Sequence, residues 1–196
     1  MSAEPIASFW DLFRRRHARL AAAASADEPP YDELLEQLQR IDPGLYLEFS
    51  CGAPTCELIV TAEGARSLFA VARSVVESAP SIPGWTIRAL KPKIGFPKSV
   101  RWGNYTLDVS TVVFRPLERS DGRGLDLDIF IPDLTPGDTE DAHNAVLRAM
   151  DSGLGEERLA EAVQGTVVRP LLRGIDQEGL IPLVELDTIV EQRRRN

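Results

Sequence analysis

A chain of 196 residues with 43% hydrophobic side chains can bury a core, which excludes disorder as its overall state. Its formal net charge of -8 disfavours whole-molecule attraction to long nucleic acid or to an anionic membrane. No apolar run approaches the roughly 20 residues that a membrane-spanning helix needs.

The first helix is predicted to open at Ser8, with Asp11 three residues on in a capping-box pattern. Ile6, Trp10, Phe13, His17 and Leu20 then recur at helical spacing and form one stripe. SADEPP is expected to end the segment, because Pro29 and Pro30 cannot continue a helix, and Tyr31–Arg40 restarts one around Leu34, Leu35 and Leu38. The run RRRHARLAAAASADEPP superficially suggests an export leader. Its apolar stretch Leu20–Ala24 is shorter than the roughly 7–15 residues of such a core, so a cytoplasmic location is expected.

Leu45, Leu47 and Phe49 alternate with Tyr46, Glu48 and Ser50, and CELIVT supplies a second strand across the loop GAPT. Ala65–Ala79 reads as a helix with Leu68, Phe69, Ala72, Val75 and Val76 on one face. GWTIRAL is a strand, and SVRW and YTLD flank the hairpin signal Gly103-Asn104. STVVFRPLE and GLDLDIFIP read as two strands joined by RSDGRG. A helix capped near Asp138 and ending by Gly153, a short helix, the strand TVVRPLL and a helical tail LVELDTIVEQRRR complete the chain. No internal repeat is visible.

Hairpins dominate this order, and only one or two connections suit parallel crossovers. The expected fold is therefore a single α+β domain, a mainly antiparallel sheet with helices on one face. It divides into an N-terminal helical pair at 6–40, a sheet-and-helix body at 44–175 and a C-terminal helical tail at 180–196. The ordered motifs FWDLF, LYLEFS, CELIVTAEG, APSIPGWTIRALKP, GLDLDIFIP and LGE cover most of the chain. In that order they resemble an uncharacterised family of bacterial cytosolic α+β proteins of about this length. The resemblance implies a compact fold, no established activity and no catalytic residue.

The most distinctive chemistry lies in ALKPKIGFPKSVRW, residues 89–102, which holds the chain's three lysines, Lys91, Lys93 and Lys98, together with Arg101. Pro92 and Pro97 remove ladder donors, and lysine and proline both guard sheet edges against unwanted pairing. The functional alternative is a basic loop in which Lys91, Lys93, Phe96, Lys98 and Arg101 meet an acidic partner. The expected function is non-catalytic binding of another protein or of a second copy, with no cofactor.

Three other constellations compete. Asp126 and Asp128 share the face opposite the aliphatic one, about 7 Å apart, and with Asp133 would suit a divalent cation in a metal-assisted hydrolase. His143 lies among Asp138, Glu140 and Asp141, where an acid/base site is conceivable but helix-end acids suffice as an explanation. Cys51 and Cys56 are expected to be buried and reduced, with a cross-strand disulfide as the alternative, and one C-x4-C pair is only half of a zinc site. His17, on the apolar stripe, reads as a core or boundary histidine. Nucleotide and hydrolase motifs are absent.

Overall fold

The computed structural model describes residues 3–22, 29–52, 54–172, 174–175 and 178–195. Helix α1 (Ala3–Ala22) opens upstream of Ser8, which lies exposed inside the helix, while Asp11 pairs with Arg14 at 3.0 Å. Pro5 falls in the first turn, where a missing N–H has no carbonyl to serve. The same rule corrects the reading of the next prolines: Pro29 and Pro30 open α2 (Pro29–Gln39). Residues 25–28 of the expected break lie outside the described residues, as does Ala53 of the expected GAPT loop.

Strand β1 (Tyr46–Gly52) pairs antiparallel with β2 (Thr55–Thr61). A 3₁₀ turn (Arg66–Leu68) and helix α3 (Phe69–Glu77) then return the chain to β3 (Trp85–Ala89), parallel to β2, giving the order β1-β2-β3. Period two sends Leu47 and Phe49, and opposite them Val60 and Leu58, to one face. The helices cover that face: Phe13 meets Trp85 edge-on with ring centroids 5.0 Å apart, Tyr31 meets Phe49, and Trp10 Nε1 donates to the Val75 carbonyl at 2.9 Å. His17 is half-buried at the margin, its ring edge-on to Trp85.

Contacts group into two units, Met1–Lys91 and Pro92–Asn196. The division falls inside the basic stretch. Lys91 is held by acids of the first unit, whereas the Ile94 and Gly95 amides both donate to the Ser152 carbonyl in the second.

In the second unit β4 (Ser99–Trp102) and β5 (Tyr105–Asp108) form the expected hairpin around Gly103-Asn104. Strand β6 (Val113–Glu118) starts later than expected, because Val109–Thr111 forms a 3₁₀ turn capped by the Asp108 side chain. It pairs antiparallel with β7 (Leu125–Ile131). Helices α4 (Thr139–Leu154) and α5 (Glu156–Ala162) lead to β8 (Val163–Pro170), parallel to β7. The short β9 (Ile181–Pro182), not anticipated, adds to the free side of β6 and precedes α6 (Leu186–Arg195). Leu125, Leu127 and Ile129 share one core with Ala142, Val146 and Ala149 of α4 and with Leu186 and Val190 of α6. Asp138 precedes α4 as expected, but its carboxylate accepts from the Thr135 hydroxyl and does not cap the helix. Gly153 has no space for a side chain: a Cβ there would lie 2.4 Å from the Phe96 ring.

The architecture is α+β. Antiparallel pairings outnumber parallel ones, and the two parallel pairs are the two helical crossovers. No helix among the described residues is long and apolar enough to cross a membrane.

Candidate functional site

The basic stretch does not act as one patch. Lys91 is the least exposed of its cations, with only 8% of the side chain accessible. Its Nζ lies 2.8 Å from Glu63 Oε2 and 3.6 Å from Glu48 Oε1. Lys93 Nζ meets Asp187 Oδ2 at 2.6 Å. Phe96 is half-buried against the core of its unit. Lys98 and Arg101 are exposed, and neither has an ion-pair partner among the described residues. Trp102 is 44% exposed and Ile94 78% exposed.

The paired aspartates are spoken for. Arg119 Nη1 donates to both oxygens of Asp126 at 3.0 and 3.1 Å, and Arg169 Nε to Asp128 at 3.2 Å. Hydrogen bonding from the same Arg119 holds Asp121 below the usual carboxylate range. Among the described residues no three His, Cys, Asp or Glu side chains gather as a cation site. His143 Nε2 pairs with the Thr166 hydroxyl at 2.8 Å, while Asp141 accepts from the Asn104 amide at the hairpin turn.

The thiols depart from expectation. Cys51 and Cys56 are direct partners in the β1–β2 ladder and form a disulfide, with Cys51 exposed and Cys56 half-buried. Burial along the inward register of β1 falls from buried Leu47 through half-buried Phe49 to exposed Cys51.

The arrangement most like a ligand site was not legible as a motif. The β6–β7 loop, the end of α5 and the outer half of α6 border a half-open cavity of about 240 Å³ in the second unit. Arg158, Arg193, Arg194 and Glu161 line it, with Gly122 and Gly124 in the loop wall and Leu125, Ala162 and Val190 as apolar floor. Val190 on the buried stripe of α6 turns the helix so that the arginines one turn later meet the loop. Gly124 is required there: its φ is +71°, and a Cβ would lie 2.8 Å from the Ala162 carbonyl oxygen.

Each guanidinium is oriented by an acid. Arg158, 16% exposed, reaches Glu191 at 2.6 Å and lies 3.1 Å from Asp187 Oδ1. That second contact is close enough for ion pairing but not aligned as a hydrogen bond, and Arg158 Nε is buried with no hydrogen-bond partner. Arg193 forks both Nη atoms onto Glu118, and Arg194 Nη2 meets Glu161 at 3.0 Å. Hydrogen bonding from Arg193 holds the Glu118 carboxyl below its ordinary range, against a weaker opposing effect of desolvation. The only signal in the sequence was the arginine run closing the apolar stripe of the tail.

Comparison with protein-family models, with curated proteins and with solved structures gives no match to this chain.

Proposed function

We propose that the chain works by non-catalytic binding, and that the arginine-lined cavity of the second unit takes a small ligand, or the tip of an acidic partner, through a carboxylate or phosphate group. One observation carries this reading: three arginines from two helices border one cavity, with their forks already oriented. Arginine suits such groups because its planar donors match two oxygens at once. Glu118 and Glu161 hold the forks of Arg193 and Arg194, and a ligand's oxygens would replace them there. Both are substantially exposed, so exchanging them for a ligand leaves two solvated acids and no buried charge.

Titration with inorganic phosphate and, separately, with succinate tests the reading, followed by the arginine Nε–Hε resonances. The expected result is selective movement of Arg158, Arg193 and Arg194. Glu161→Gln should tighten binding by removing an internal competitor, and Arg194→Ala should weaken it. Uniform shifts over all arginines, or indifference to both substitutions, would overturn it.

A second reading keeps the expectation of a protein or self-association surface. It is favoured by the exposure of both Trp102 and Arg101, residue types that dominate protein contacts. The site is then narrower than the five residues first considered, because Lys91, Lys93 and Phe96 are engaged within their own units.

A further inference from the structure

We propose that Cys51 and Cys56 form a reversible thiol–disulfide site that exchanges with small thiols, and that Cys51 is the sulfur through which exchange enters. The inference is independent of the anion cavity, since both cysteines belong to the first unit.

The two residues face each other in the ladder, with Cα atoms 4.1 Å apart, one step from the turn that contains Pro54. A bridge spanning only five residues of sequence restricts the unfolded chain far less than one closing a long loop. Nor does the hairpin depend on it. Leu47, Phe49, Leu58 and Val60 pair across β1 and β2, β3 ladders onto the far side of β2, and the Cys56 amide donates to the Gly84 carbonyl at 2.7 Å. The bridge therefore adds a covalent bond where the fold is already specified. It lies at the open end of the sheet, and exposed bridges are the ones that exchange.

Exposure also sets the direction. Cys51 is on the edge strand and exposed, whereas Cys56 is half-buried on the central strand beside Trp85 of β3. A small-molecule thiolate attacks Cys51 Sγ and the Cys51–Cys56 bond breaks. The Cys51 sulfur is then joined to the incoming thiol, and Cys56 leaves as a thiolate and takes a proton. A second thiol attacks the added sulfur, releases the small-molecule disulfide and leaves Cys51 reduced. Two thiols supply the two electrons, and a small-molecule disulfide reverses both steps.

The experiment equilibrates the full chain in reduced and oxidised glutathione at varied ratio, without denaturant, then quenches with acid, alkylates and maps the peptides by mass. The bridge is expected to open and close reversibly with an unchanged far-ultraviolet spectrum, and early time points should carry glutathione on Cys51. In single variants, Cys51 of Cys56→Ser should add oxidised glutathione at least about tenfold faster than Cys56 of Cys51→Ser, following the difference in access. If either variant fails to fold, the early adduct on the unsubstituted chain decides the same point. A bridge that opens only after guanidinium unfolding, free thiols that never oxidise in the folded chain, or an adduct that builds first on Cys56 would each overturn the proposal.

Discussion

The two units share a series of elements. Each has an antiparallel hairpin, a 3₁₀ turn (Arg66–Leu68 or Pro136–Asp138), a helical crossover and a strand that returns parallel to the hairpin's second strand, the crossover being α3 alone in the first unit and α4 with α5 in the second. In each, the turn leaving that central strand carries an acidic residue in the left-handed region, Glu63 at φ 48° and Asp133 at φ 53°. The attachments differ. The first unit adds a helical pair before its hairpin, and the second adds β4–β5 before and β9 with α6 after. Glu63 clasps the buried Lys91, whereas α6 brings arginines to the border of a cavity. One arrangement of strands and helix thus serves a closed ion pair in one unit and an open candidate site in the other, as expected where sites are grafted onto folds.

The hardest blow to either half of this comparison is a cavity in its central strand. Leu58 on β2 and Ile129 on β7 are both fully buried. Leu58→Ala and Ile129→Ala should each cost about 3 kcal/mol. Native-state hydrogen exchange should place the loss in residues 46–89 for the first and 113–170 for the second. An equal loss across both ranges would mean that the two units do not behave as separate frameworks.

A smaller test separates two lysines only two positions apart. Lys91→Met leaves Glu48 and Glu63 facing each other without their shared cation, so a loss of about 1–2 kcal/mol is expected in urea unfolding. Lys93→Met removes a more exposed pair with Asp187 and should cost under about 0.5 kcal/mol. Equal losses would erase the distinction between a cation that builds a unit and one that lies on its surface.

Local pattern explains how far the sequence could be read. Alternation in Leu125–Ile131, the Gly103-Asn104 turn and the stripe through Phe13 are properties of neighbouring residues, and each element is where its period placed it. Position-dependent residues were harder. Pro29 and Pro30 break a helix interior but begin a helix equally well, and local composition does not distinguish the two. The shared topology has no shared sequence signature: VTAEGARSLF and FIPDLTPGDT both pass from a strand through a left-handed acidic residue and a 3₁₀ turn into a helix, with different side chains and a second left-handed residue, Gly64, in the first alone. The burial of Lys91 depends on β1 and the turn after β2 bringing two acids together, and the cavity on Arg158 meeting residues far along the chain. Those convergences belong to tertiary packing, and no window of the sequence contains them.

The gentlest test addresses what holds α6 against its own unit. Glu118 ends β6 and takes both Nη atoms of Arg193, while Leu186 and Val190 bury the first half of the helix. Because the folded carboxyl titrates below its reference value of 4.5, the clamp contributes fully above that value and is lost as pH falls through the lower, folded value. Neutral and mildly acidic solutions should therefore leave the outer turn of α6 protected, and its protection factors, taken relative to the intrinsic exchange rate at each pH, should fall only in stronger acid. Glu118→Gln should show the lowered protection factors at every pH and flatten their dependence, with the inner turn anchored by Val190 unchanged. An outer turn that frays equally with and without the carboxylate would show that apolar burial alone sets the helix, and that Arg193 stands at the cavity wall without being oriented by its partner.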